Sequence, residues 1–328
     1  MQRGHMPTQE HNSRKKQRTY TYLPTTEKRR RQLLLCSILL GCVLVFSAWQ
    51  LIDYGVDYFA ARNAADQLRE MYYEATEEPT AVPTSTPTPE PTHTLEPEAT
   101  PTPSPTPAVH LEQMRYPNNP HATVASRFQK LRRQNEDIIG WLKIDGLVDE
   151  PVVQKDNTYY LRRDYRGYHN VNGALFLDEN ADLFYRPYTL MIYGHNMKTG
   201  AMFGNLRNYE KLYFYQKNPF VTFDTMYEDG RYVIFSITEL SLNARDKNYF
   251  SFGKLDSDNI AWREEAISDL ISHSVFYTDI DVQPEDQLLL LVTCVDDEEE
   301  RRVVAARRIR EGETEASLQR SVDRARKW

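Results

Sequence analysis

Outside one apolar stretch, this sequence of 328 residues holds a single cysteine. Cys36 and Cys42 lie within the run Leu33–Ile52, which leaves Cys294 alone in the rest of the chain. One thiol cannot close an internal disulfide, and no cysteine pair has the spacing of a zinc site. A lone exported cysteine is an intermolecular bridge, a buried inert side chain or a reactive thiol, and its neighbours decide which. Also missing are an internal repeat, a glycine loop of the phosphate-binding kind and a cationic face that would suit a nucleic acid. The run LLLCSILLGCVLVFSAWQLI lacks charge for twenty residues, about the length that crosses a hydrocarbon core of roughly 30 Å as a helix. No small-residue cleavage site follows it, since the chain continues WQLIDY, so an uncleaved anchor is expected rather than a signal peptide.

Charge is distributed unevenly. Nine basic and two acidic residues precede Leu33, so the net −7 of the whole chain divides into +7 before the span and −14 after it. Positive flanks stay cytoplasmic, which predicts a single-pass protein with a cytoplasmic N-terminus and an extracellular remainder. Trp49, Tyr54 and Tyr58 fall where an interfacial aromatic belt is expected.

The organisation read from this pattern is a basic cytoplasmic tail over 1–32, a transmembrane anchor over 33–52, and a juxtamembrane helix over 53–75. Residues 76–109 hold ten of the eighteen prolines in a Pro/Thr/Glu pattern. Such a segment buries little and favours polyproline geometry. At about 3.1 Å per residue it would reach on the order of 100 Å, as a spacer through a cell wall. A folded domain is expected over 110–312, followed by a polar tail over 313–328 that is a frayed helix or disordered.

Within the domain, residues before Asn135 read as helical, and strands dominate afterwards. The runs GWLKI, EPVVQ, GALFLD, TLMIYG, FVTFD, RYVIFSI, QLLLLVTC and RRVVAARRI recur between turn residues, as in a barrel or sandwich. One helix interrupts them over 256–273, with Ile260, Ile267, Leu270 and Ile271 on one face behind an Asp/Ser/Asp start.

QLLLLVTC ends in the only exported thiol, after which VDDEEE must leave the core, so Cys294 is expected at a strand's exposed end. A thiol is mostly protonated at neutral pH and needs an imidazole or another cation beside it to become a nucleophile. Of the five histidines after residue 109, His195 follows an apolar strand and opens a glycine-flanked loop in TLMIYGHNMKTGAMFGNL. His110, His121, His169 and His273 stand in helical or polar surroundings and read as ordinary surface residues. On the next strand Arg301 and Arg302 point to opposite faces, since successive residues alternate. One of them can face the thiol and stabilise a thiolate or an oxyanion. Two solvated charges balancing the acidic run are the plain alternative.

YGHNM with MFGNL, followed about a hundred residues on by TC and then by an arginine leading a VV strand, resembles the class B sortases. NEDIIGWLKI, EPVVQKDNTYYL, GALFLDENA and NPFVTF are similar to that family as well, so the resemblance runs in one order over residues 127–310. It implies a mainly β protein, a sortase-type eight-stranded β-barrel with N-terminal helices and a helix before the cysteine-bearing strand. It also implies a cysteine transpeptidase that cuts a sorting signal after threonine and passes the acyl group to an amine of a peptidoglycan precursor or a pilin. Cys294 as nucleophile, His195 as acid/base and Arg301 as the stabilising charge fall on the family's three catalytic positions. Arg301 is preferred to Arg302 by its distance from Ala306. Asp296 falls where such enzymes often carry an acid. Leu290, Leu291 and Val292 stand where a threonine, a leucine and a serine are common, which bears on the peptide preferred. The partners implied are surface proteins carrying sorting signals, an amine acceptor and the membrane, without nucleic acid, metal or cofactor. A thiol hydrolase of wall peptides and a wall-tethered scaffold are the competing readings.

Overall fold

The eight apolar runs become eight strands. In the computed structural model, which describes residues 27–77, 123–294 and 299–328, they are β1 (Ile138–Ile144), β2 (Val148–Val153), β3 (Leu175–Leu177), β4 (Thr189–Tyr193), β5 (Phe220–Thr225), β6 (Arg231–Ser241), β7 (Leu288–Cys294) and β8 (Glu300–Arg308). They close into a barrel in the order β1-β2-β3-β4-β7-β8-β6-β5. The pairs β2–β3 and β4–β7 are parallel and the others antiparallel. Closure removes the sheet edges, and β7 reads as an unbroken apolar run because every residue from Leu288 to Thr293 is buried.

Among the described residues five α-helices accompany the strands: α1 (Glu27–Glu77), α2 (Ser126–Arg132), α3 (Leu212–Lys217), α4 (Ile260–Ser272) and α5 (Glu315–Asp323). The chain divides into two compact units, Met1–Val56 and Asp57–Trp328. In the first, Arg29–Ile52 is long and apolar enough to cross a membrane, and its large apolar side chains are exposed.

The second unit begins well before the expected domain boundary. Ala64, Leu68, Tyr72 and Ala75 of α1 are buried. Tyr72 stacks on Trp141 of β1 at 4.5 Å between ring centroids, and its hydroxyl donates to Asp224 Oδ2 at 2.5 Å. Arg69 Nη2 donates to the Asp149 carbonyl (2.7 Å), and Tyr165 Oη donates to the Ala64 carbonyl (3.0 Å). The expected juxtamembrane helix is therefore part of the barrel's packing. This differs from a helix held away from the domain by the Pro/Thr-rich stretch. Residues 78–122, which hold most of that stretch and the start of the expected domain with His110 and His121, lie outside the described residues, as does the tail before residue 27.

Of the two readings of the C-terminus the helical one holds, and the helix packs instead of fraying: Thr314 caps α5 in a reciprocal box with Ser317, and Leu318, Val322 and Ala325 join the core. α4 starts one residue later than the Asp/Ser/Asp sequence suggests, because Asn259 is the cap and accepts from the N–H groups of Ala261 and Trp262. Ile260 is exposed, and the buried face carries Arg263 instead, satisfied by the carbonyls of Pro284 and Ser257 at 2.7 and 2.6 Å.

Just before α4, Asp256 accepts from the Thr189 N–H (3.2 Å), and burial pushes its carboxyl up to about 6. A carboxyl raised in the folded state binds its proton more tightly there. Its contribution to stability is complete below about pH 4 and is lost as pH rises through 6. Asp256→Asn keeps the acceptor for Thr189 and removes the charge. Denaturation followed between pH 4 and 8 should find the variant equal to the parent at the acid end and more stable above pH 6, by less than about 1 kcal/mol because solvent reaches and screens the carboxylate.

Candidate active site

At one end of β4, β7 and β8 a cavity of about 340 Å³ opens. Leu161, Phe176, Leu242, Phe252 and Val292 give it apolar walls, and Asn157, Tyr193, His195, Thr293 and Arg301 supply its polar groups. His195 and Arg301 thus share one cavity. Arg302 does not line it: the neighbouring position points the other way, where its guanidinium pairs with Glu210 and Glu239 at 2.7 and 2.6 Å.

Strand register brings Cys294 to the same place. It is the last residue of β7 and lies directly across from Arg301 of β8. On the other side, the parallel β4–β7 pairing ends at Tyr193 opposite Val292, and the Gly194 N–H donates to the Val292 carbonyl (3.2 Å). Two residues further along both chains come His195 and Cys294. Asp296 lies outside the described residues. The Thr293 hydroxyl, beside the cysteine, is buried and has no hydrogen-bond partner among the described residues.

The loop carrying His195 is held by its own backbone. The His195 carbonyl accepts from the N–H groups of Met197 (3.1 Å) and Phe203 (3.0 Å), and Phe203 is fully buried. A Cβ at Gly194 would come within 2.5 Å of Leu175 and 2.8 Å of Phe203, and one at Gly204 would overlap the Met197 carbonyl. These contacts explain the glycines on both sides of HNMKTGAMF. The imidazole is partly exposed, and its Nε2 lies 2.6 Å from the Leu161 carbonyl oxygen. His169 and His273 are exposed and away from this cavity, the latter against the last turn of α4 through Asp269 O at 2.8 Å.

Several site groups carried no signal of their own in the sequence. Buried Asp178 accepts from Tyr193 Oη and Asn157 Nδ2, both at 3.1 Å, so one carboxylate fixes two side chains of the cavity wall. Burial, and then the Asp178 charge, push the Tyr193 phenol well above its ordinary range, which keeps it a hydrogen-bond donor. Of the two positions before TC that depart from the pattern the resemblance implies, Leu290 is a core residue and Val292 reaches the cavity.

The barrel, its helices and this cavity set the class: a sortase-type protein. The sortase domain model matches residues 142–309, half of the chain. Sortase B of Staphylococcus aureus is 30% identical over 168 residues, covering 51% of this chain and 66% of that protein. The chain thus spans about two thirds of the length of this relative. A Bacillus anthracis sortase B structure superposes with a TM-score of 0.57 at 22% identity over 78% of this chain and 99% of that one. A Staphylococcus aureus sortase B–substrate complex does so at 0.51 and 27%, over 58% and 88%. The chain belongs to the sortase family and, within it, to class B; sortases are cysteine transpeptidases.

Proposed function

We propose that this chain is a membrane-anchored transpeptidase that cuts a C-terminal sorting signal after threonine and joins the protein to an amine of the cell wall or of another surface protein. The observation that carries the reading is the convergence of His195, Arg301 and the strand end bearing Cys294 on one cavity. In this scheme the Cys294 sulfur attacks the threonine carbonyl carbon while its proton passes to His195, and Arg301 stabilises the oxyanion. The C–N bond then breaks, His195 returns the proton to the departing amine, and a thioester remains on Cys294. An incoming amine gives its proton to His195, attacks the thioester and releases the thiol. The long apolar stretch behind a basic flank supports a single-pass anchor with the N-terminus in the cytoplasm. The apolar walls of the cavity suit an extended peptide, and Val292 in place of a hydroxyl residue supports a sorting motif of more apolar character.

Mass spectrometry of the full-length protein in detergent, incubated with threonine-containing pentapeptides and triglycine beside Cys294→Ala, tests this. A cysteine-dependent acyl adduct cut after threonine and transferred to triglycine is expected. Free acid as the sole product, unchanged by triglycine, would make the protein a thiol hydrolase. No adduct on an active thiol would sink the sorting-signal reading.

A further inference from the structure

Leu161 sits in a short 3₁₀ turn, Tyr159–Arg162, whose last carbonyls must find donors outside it. The N–H that a continued turn would send to Leu161 belongs to Asp164, but it donates to the Tyr168 carbonyl instead (2.9 Å). The neighbouring carbonyls are engaged: Tyr160 O accepts from Ala174 N–H (3.1 Å) and Arg162 O from Asn170 N–H (3.0 Å). The Leu161 carbonyl is aimed at His195 Nε2, 2.6 Å away. A carbonyl oxygen can only accept, so the ring nitrogen facing it carries hydrogen in the neutral as well as the cationic imidazole.

We infer that the Leu161 carbonyl is the positioning group of this site, fixing His195 as its Nε2–H tautomer and leaving Nδ1 as the atom that exchanges protons. This rests on His195 being the acid/base residue. The thiol proton passes to Nδ1, and from Nδ1 to the nitrogen of the departing amine, while the Nε2–H bond to Leu161 is kept throughout and strengthens when the ring is positive. The carboxylate of a three-membered catalytic set has the same two tasks, orientation of the ring and support of the imidazolium. Here they fall to a main-chain oxygen, held in place by the turn rather than by a side chain.

Gly173 keeps that oxygen where it is. Its φ of +64° is in the left-handed region, and a Cβ there would stand 2.7 Å from the carbonyl oxygens of both Leu161 and Tyr160. Any side chain at 173 must therefore push the Leu161 carbonyl. Glycine here is read as a requirement of the histidine's orientation as well as of the turn.

The tautomer can be read directly. In full-length Cys294→Ala labelled with ¹⁵N-histidine, in detergent at pH 9, above the ordinary imidazole range, the His195 signals are assigned by difference from the same chain carrying His195→Asn. A protonated Nε2 and a bare Nδ1 are expected; the opposite tautomer, or an averaged mixture, overturns the inference. In the enzyme with Cys294 intact, Gly173→Ala should lower kcat about 10–100-fold with KM within about threefold, and in the labelled chain it should mix the tautomers. A folded Gly173→Ala that keeps both the tautomer and kcat also overturns it. If the variant fails to fold, the tautomer of the chain retaining Gly173 decides alone. Transpeptidation that survives His195→Asn would instead sink the underlying site assignment, whatever the tautomer.

Discussion

Arg301→Ala is expected to lower kcat for acyl transfer by about 100–1000-fold, the usual loss when a donor to a developing oxyanion is removed from a water-poor site. The arginine stands across from Cys294 in register and lines the same cavity as His195, so in the proposed mechanism its charge acts where the tetrahedral intermediate would form. Arg301→Lys should recover only part of the rate, since an ammonium keeps the charge and loses the planar fork. Arg302→Ala provides the contrast. Arg302 is 7% exposed and holds Glu210 and Glu239 on the other face, so its removal should cost stability, about 1–3 kcal/mol, and leave kcat of the folded fraction unchanged. Steady-state kinetics of both variants beside a thermal melt separate the two. Loss of kcat in Arg302→Ala with normal kinetics in Arg301→Ala would exchange the roles given to the pair.

The strands were legible because each is short, apolar and bounded by turn residues, and all eight runs became strands within a few residues of their expected limits; that they close into a barrel and not a sandwich came from the family resemblance. The candidate site was legible as residue types at strand ends: a thiol closing β7, a histidine following β4 and an arginine near the start of β8. What tied them together was not. The Leu161 carbonyl is a main-chain atom with no residue signature, and Asp178 acts through Tyr193 and Asn157, partners 15 and 21 residues away. α5 was legible only as a frayed helix or disorder because Leu318 and Val322 are too few to make a periodic pattern, although four-residue spacing suffices once the barrel offers a surface. On α4, Arg263 took a place that an apolar pattern assigns to an aliphatic residue, because carbonyls and the Tyr188 ring, 4.2 Å from its guanidinium, satisfy it.

Tyr72→Ala is expected to destabilise the Asp57–Trp328 unit by about 3–5 kcal/mol, the range for deleting a buried aromatic side chain. For a unit of this size that corresponds to a fall in Tm of roughly 10 °C. Tyr72 contributes on three sides: its ring stacks on Trp141, meets Phe128 edge-on with centroids 6.0 Å apart, and carries the hydroxyl that donates to Asp224. Asp224 is itself buried, and burial raises its carboxyl, so losing that donor leaves a costly group behind. Tyr72→Phe isolates this part and should cost about 1–3 kcal/mol. Neither change touches the cavity wall, so kcat measured well below the melting temperature should hold. The Pro/Thr-rich sequence after α1 invites the opposite expectation, a helix that merely precedes a spacer. In that case Tyr72 would face solvent, and its replacement would change stability by less than about 0.5 kcal/mol. Thermal melts of Tyr72→Ala and Tyr72→Phe against the parent therefore decide whether residues 57–77 belong to the catalytic fold, and with them where a truncation can begin without unfolding the barrel.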